Sequence, residues 1–555
     1  MKFHIFYSIS LATLLVSAAA CPPKTQSIFL RCNGEALEVR EQNDLPLSYG
    51  LNSYKFARLS YEGHPLQLEI TTEGFSFGKD DWDISPHSYG IEGRKKGNKL
   101  NFAINRPGYL VVRFSKDQDF TKRLVILVEE DEALPGGELV DIVRDYQVDN
   151  SGARNETDKI QQALDDISGS DKVLNFPAGD YKCFGLSLRS HSHIHLSKDT
   201  RIIADASSPD RYIARDECGI NRFIYVNEVK DVHMSGLGTL DGNGSTILGT
   251  NGPDEVKKLI GMRLLLIRSS SNIHFEGIIL KDAARWNTHI VGSEDISFRR
   301  CKLMNSAINN EFLGSLDGWD PDASQRVLIE DCFGWAGDDN VAIKCTGLGG
   351  LDSCKNVEDI TVRGNVFLTR KTSLKIGTET RCANMKNILF EDNEIIEADR
   401  VFGVNVRDRA LVENVLFRNN RSEYSFPDRR QMAMNIYITH REDDQPWTGK
   451  IRNVRFENCS FEQAFPKKIQ ISRLASYTEK EDLQVSFSKL TIAGKNISEL
   501  DPDYFEIAKC NGDIRFIDDE AKSPNIVFIL TDDQGWTHTS HRADPMIPES
   551  KSDYY

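Results

Sequence analysis

The sequence predicts an all-β protein, a parallel β-helix preceded by a small β-sandwich. Three observations carry that expectation. A short motif, Asn or Asp, then Ile or Val, any residue, then an apolar one, recurs from residue 272 onward at intervals of 23 to 39 residues. A constant strand with variable spacing is the mark of a coil whose turns differ in length. Three residues after the last apolar position stand Cys301, Cys332, Asn365, Asn393, Asn420 and Cys459, a column that stacked coils would line up inside one bend. Ahead of the repeat, residues 45–135 hold alternating and fully apolar runs punctuated by Gly and Pro, the pattern of a separate strand-rich domain.

In chain order, the apolar run SLATLLVSAAA after Lys2 and His4 reads as a signal peptide over residues 1–20, too short to span a bilayer. Cys21 follows directly, so plain secretion and a lipid anchor at Cys21 both stand as expectations, with the protein secreted, periplasmic or at the cell surface. Residues 21–44 read as a polar linker. In the β-domain, Leu66–Ile70 alternates, while Tyr109–Phe114 and Leu124–Val128 read as buried strands; a structural cap without catalytic groups is the expectation. Residues 140–495 form the predicted β-helix. It opens with a helix over Glu156–Ile167, whose Ile160, Ala163, Leu164 and Ile167 share one face, and with the FPAGDY turn at 176–181. The motif then appears at Asn272, Asp295, Arg326, Asp359, Asn387, Asn414 and Asn453. Residues 496–522 read as a second linker before a distinct tail, 523–555.

A length of 555 residues exceeds one compact core. The formal charge of -15 excludes nucleic acid as a general partner, because phosphate would be repelled. No further segment is apolar enough for a membrane span. Of the 11 cysteines, Cys301, Cys332 and Cys459 are expected as ladder thiols. Any disulfide is expected among Cys345, Cys354 and Cys382.

The chemistry concentrates between Ser315 and Lys344. Asp317 lies in an Asp-Gly-x-Asp-Pro turn, and Asp338–Asp339 form a doublet 21 residues later, about one turn of a β-solenoid. Asp-Gly and Gly-Asp also form ordinary turns. Stacked on neighbouring coils, however, the carboxylates would repel, and one would keep its proton near neutral pH. An acid beside ionised bases is what glycosidic cleavage needs. No metal and no cofactor is expected in this site.

These residues resemble the polygalacturonase-type glycoside hydrolases, family 28. The resemblance covers roughly residues 140–480. The FPAGDY turn, GLGTLDGNG at 236–244, DGWDPDAS and GDDNVAIK come in the family's order. It implies a right-handed, pectin-lyase-like β-helix and hydrolysis with inversion, with Asp338 as general acid and Asp317 and Asp339 orienting or deprotonating water. Two departures stand out. Thr372 occupies the place of the family's His, and Asn405 and Arg407 occupy the places of its Arg and Lys. The hydrolytic acids are kept and the pectin-reading residues are not, which turns the expected polysaccharide toward a decorated or sulfated glycan. A β-sandwich ahead of a β-helix also resembles the dextranase and isopullulanase family 49, the alternative reading as an α-glucan hydrolase. SPNIVFILTDDQGW at 523–536 resembles the opening of a sulfatase, with Asp532 and Asp533 as its metal-binding aspartates, but too few residues follow for an active one.

Further substrate-binding candidates flank the acids. His289 lies one coil before them; Lys375, Glu379, Asn405 and Arg407 lie one or two coils after. Trp319 is preferred over Trp286 and Trp335 as a platform for a sugar ring. Asp320 is expected to shape the turn before Pro321. A non-catalytic glycan-binding protein on a decayed scaffold is the competing class. A lyase is disfavoured because the site is dominated by acids rather than by a cationic base.

Overall fold

The computed structural model describes residues 26–42, 54–115, 120–248, 261–305, 315–348, 355–427, 430–441, 448–474, 480–508, 510 and 512–517. From Glu138 to Phe516 the chain winds as a three-sheet parallel β-helix. One turn shows the order: Gln325–Glu330 lies in the first sheet, Phe333–Ala336 in the second and Val341–Cys345 in the third. Val357–Arg363 then re-enters the first.

The repeat has a backbone cause. The leading residues Asn272, Asp295, Arg326, Asp359, Asn387, Asn414 and Asn453 all have left-handed φ angles, between +47° and +59°. Asn and Asp tolerate that conformation better than other side chains. The next residue of each motif points inward and is buried, and where the residue two further on is Phe it stacks on its neighbours, as Phe390, Phe417 and Phe456 do at 4.5 and 4.6 Å spacing. The ladder lies at the following bend. Asn365 Nδ2 donates to Asn393 Oδ1 (2.8 Å), Asn393 Nδ2 to Asn420 Oδ1 (2.9 Å), and Cys332 N to Asn365 Oδ1 (2.8 Å). Cys332 and Asn365 therefore occupy adjacent coils, as the register required. Cys301, Cys332 and Cys459 are free and buried, each thiol facing a backbone carbonyl. Cys382 is also free, and Cys354 lies outside the described residues.

The helix Thr157–Asp166 buries Ile160, Ala163 and Leu164, as its periodicity predicts. Both expected linkers are corrected. Ser27–Cys32, Glu35–Leu37 and Arg40–Gln42 are strands of the N-terminal domain; Ile28 and Leu30 alternate into its core. Lys495–Ile497, Phe505–Ala508 and Asp513–Phe516 close the last coil, with Phe505 and Phe516 packed on Phe487. The signal peptide, Cys21 and the 523–555 tail lie outside the described residues. Among those described, no helix is long and apolar enough to cross a membrane.

The N-terminal domain pairs two five-stranded sheets around Leu30, Leu68, Ile70, Leu110, Val112 and Ile126. One sheet is apolar on both faces. Leu110, Val112, Leu124 and Ile126 fill the sandwich, while Tyr109, Val111, Val125 and Leu127 dock on the β-helix against Phe333, Trp335, Val366 and Leu368. Burial on both sides explains the unbroken apolar runs. Tyr54 stacks on Trp335 at 4.0 Å, and Arg123 pairs with Glu397 at 2.7 Å beside them. The domain thus covers the second sheet and leaves the third sheet to the acids.

Candidate active site

The three acids meet where the second sheet turns into the third. Asp338 and Asp339 lie between Phe333–Ala336 and Val341–Cys345. Asp317 stands on the preceding coil, just before the strand Trp319–Asp322. Gly318 N donates to Asp339 O and Trp319 N to Asn340 O, both at 2.8 Å, so 21 residues do make one turn. Gly318 permits this approach: a Cβ there would come within 2.4 Å of the Asn340 carbonyl oxygen.

Period-two alternation then lays out the charges. On Val341–Cys345, Val341 and Ile343 enter the core and Lys344 faces outward; on Thr372–Thr380, Leu374 and Ile376 enter and Lys375 faces outward. Lys344 Nζ lies 2.5 Å from Asp317 Oδ2 and 2.9 Å from Asp320 Oδ1. Lys375 Nζ lies 2.6 Å from Asp339 Oδ2, and Thr372 N donates to Asp339 Oδ1 at 2.9 Å. Two of the three acids therefore carry an ammonium partner. Asp338 has none: its Oδ1 accepts the Asp339 backbone N–H at 3.0 Å.

The proton distribution follows. Burial, together with the charges of Asp317 and Asp339, pushes the Asp338 carboxyl up to about 7. Burial also acts on Asp339, but Lys375 and Arg400 overcome it and hold that carboxyl well below the usual range. Lys344 stays charged against its own burial because Asp317 and Asp320 face it. Burial raises Asp320 well above the usual range, with Lys344 opposing. Lys344 is the contact of Asp320 Oδ1, and Oδ2 lacks a hydrogen bond.

The other expected residues divide. Lys375 is at the site. Glu379 is partly exposed, 3.4 Å from Arg441 Nη1. Arg407 is partly buried, with Nη2 3.5 Å from the His440 carbonyl and Nε unbonded. Trp319 is corrected. It is fully buried in the coil interior beside Phe298 and Phe367, because alternation sends 319 inward and 320 outward. It offers no platform to a sugar. His289 is also corrected. Its ring is fully buried, Nε2 meets Asp322 Oδ2 at 2.8 Å, and burial lowers its pKa to about 4, so it is neutral and structural to the wall of the site. Asn405 is buried and spends its amide on Asn435, at 2.9 Å to the carbonyl.

Trp286 ranked behind Trp319 in the sequence reading, and several cations near it escaped that reading. Trp286 stands edge-on to His289 at 4.7 Å and carries Lys344 Nζ over its face at 3.7 Å. Arg263 stacks on the same ring at 4.7 Å, and burial with Arg285 lowers its pKa to about 10. Lys344 and Arg400 complete the set. Counting outward positions from Asp320 along successive strands would have found Lys344.

Residues 172–419 match glycosyl hydrolases family 28. That segment contains all three acids and every flanking candidate. A probable polygalacturonase of Vitis vinifera is 28% identical over 204 residues, 34% of this chain and 40% of that protein. An endo-polygalacturonase of Pectobacterium carotovorum subsp. carotovorum is 28% identical over 257 residues, 42% of this chain and 61% of that protein. The chain thus aligns with less than two thirds of either relative. Among solved structures, the polygalacturonase from Erwinia carotovora ssp. carotovora superposes with a TM-score of 0.53 at 17% identity, over 69% of this chain and 100% of that one. Dex49A from Penicillium minioluteum gives 0.53 at 12% identity, over 89% of this chain and 94% of that one. These likenesses carry the fold, a right-handed parallel β-helix. The sequence matches are consistent with a glycoside hydrolase.

Proposed function

We propose that this chain is a secreted or cell-surface glycoside hydrolase that cleaves O-glycosidic bonds of a polysaccharide with inversion. The supporting observation is the division of protons: Asp338 keeps its proton to about 7 beside Asp339, which Lys375 holds ionised. In this reading Asp338 gives its proton to the departing glycosidic oxygen. Asp317 and Asp339 accept a proton from the water that attacks the anomeric carbon from the opposite face. The bond to the leaving sugar breaks as the bond to water forms, and the anomeric configuration inverts. Lys375 keeps Asp339 ionised, and Lys344 holds Asp317 in place at 2.5 Å.

The substrate we favour is a decorated or sulfated galactose-containing glycan rather than plain polygalacturonate. Asn405 stands where a forked cation would grip a uronate, and its amide is already engaged with Asn435. Lys375 is engaged with Asp339, and Arg381 with the Thr346 carbonyl at 2.8 Å. Arg407, with Nε unbonded, is the remaining candidate to meet a sulfate. The test is reducing-end release across polygalacturonate, α-glucans and native and desulfated algal galactans. Release from a sulfated galactan supports the reading. Efficient release of galacturonate oligomers alone contradicts the substrate assignment, and no release from any polymer contradicts the activity.

A further inference from the structure

The catalytic acids leave one chemically distinctive cluster unexplained. Among the described residues, Asp83, His87 and Glu423 place ligand atoms within 4.8 Å of one another. Asp83 and His87 belong to the N-terminal domain. Glu423 lies on Arg421–Ser425 of the second sheet, so the cluster straddles the junction between the two parts of the chain.

The spacing fits a shared ion. His87 Nε2 lies 2.8 Å from Asp83 Oδ1 and 3.7 Å from Glu423 Oε2. A cation bound at about 2.1 Å sets its ligands about 3.0 Å apart in octahedral and about 3.4 Å apart in tetrahedral geometry. The far side of the ring is braced, because His87 Nδ1 meets Glu462 Oε2 at 2.6 Å. A carboxylate on the second nitrogen is how metal-binding imidazoles are oriented. Glu423 is held in turn by the His87 backbone N–H at 2.6 Å and the Ser85 hydroxyl at 2.5 Å.

The charges point the same way. Three carboxylates, Asp83, Glu423 and Glu462, converge on one imidazole. The permanent cation in contact is Arg113, 3.1 Å from the other oxygen of Asp83 and stacked over Tyr424 at 3.5 Å. Glu423 is 3% exposed, and its ion-pair contact among the described residues is the His87 ring at 3.7 Å, a partner that a bound cation would join. His87 and Asp83 are about one-third exposed, at 31% and 27%, which leaves a path for an ion and its water.

We propose that Asp83, His87 and Glu423 bind a divalent cation of the zinc class, which ties the N-terminal domain to the β-helix. One imidazole nitrogen and two carboxylate oxygens suit Zn²⁺ or Mn²⁺. The site serves cohesion, since none of its residues is among the acids or the lysines that pair with them.

The test uses the full chain, stripped with a chelator, dialysed and titrated calorimetrically with Zn²⁺ and separately with Mn²⁺. The expected result is one saturable site per chain and a rise in melting temperature on saturation. His87→Gln and Glu423→Gln each abolish it. Glu462→Gln, at a carboxylate that is 45% exposed, weakens binding by about 10–100-fold. The stacked pair His193 and His233, 4.5 Å apart elsewhere on the chain, serves as the control, and its double Ala variant keeps the site. No saturable binding, unchanged binding in both His87→Gln and Glu462→Gln, or loss in the His193/His233 variant overturns the proposal.

Discussion

Replacing Asp338 with Asn separates catalysis from stability in one variant. Asn keeps the shape and can still accept the Asp339 N–H that Asp338 Oδ1 receives at 3.0 Å. It cannot give up a proton. General acid catalysis contributes about 10²–10⁴-fold, so kcat should fall by that factor, about 3–5 kcal/mol in barrier. Stability should move the other way. A carboxyl raised from 3.8 to about 7 favours the folded state while protonated. That contribution is complete below pH of about 4 and is lost as pH rises through about 7. The shift corresponds to about 4 kcal/mol as an upper limit. Asn is neutral at every pH, so the variant should match the native chain near pH 4 and exceed it by up to about 4 kcal/mol at pH 8. Reducing-end release and denaturant unfolding at the two pH values read both effects. Native turnover in the variant, or a variant less stable than the native chain at pH 8, refutes the reasoning.

Four further outcomes follow from the same geometry. The pH profile of kcat/KM should fall above about 7, as Asp338 loses its proton, and hold well into the acid range, because Lys375 keeps Asp339 ionised; a profile rising through pH 8 contradicts this. Lys375→Met should strand Asp339, lowering stability by about 3–5 kcal/mol and moving the acid limb to higher pH, both read by denaturation and pH–rate curves. Trp286→Ala removes the face that carries Lys344 Nζ at 3.7 Å and should lower kcat/KM roughly tenfold, a loss of about 1–2 kcal/mol, measured by steady-state kinetics. Asn393→Leu takes the Oδ1 acceptor from Asn365 N and Nδ2 and the Nδ2 donor from the Val362 carbonyl and should destabilise the coil by about 2–5 kcal/mol, seen as a lower denaturation midpoint.

Much of this architecture was legible because it repeats. The left-handed residue of the first-sheet motif is Asn or Asp in six of the seven coils named, with Arg326 the seventh, and the bend after it selects Asn or Cys. Two columns therefore set the register before any coordinates. The 21-residue interval placed Asp317 beside Asp338 for the same reason. What failed was local. Ser27–Cys32 is too short and too polar in its flanks to stand out, and its pairing with Leu66–Glu73 is a long-range fact. Trp319 was misread because the strand phase around Asp317 was not carried one residue further: a two-residue period puts 319 inside and 320 outside. Lys344 was visible as the last residue of GDDNVAIK, yet its role depends on facing the previous coil. The docking of the N-terminal domain showed in Tyr109–Phe114 and Leu124–Val128 only as unbroken apolar runs, which do not name their partner.

The most direct measurement is the anomeric configuration of the first product. Proton NMR of a fresh digest, on whichever polymer the release panel identifies, records the new reducing end before it mutarotates. The account predicts that the first anomer to appear is opposite to that of the cleaved bond, and that Asp338→Asn releases almost none. A first product with the configuration of the bond, or no hydrolysis of any glycan, contradicts it.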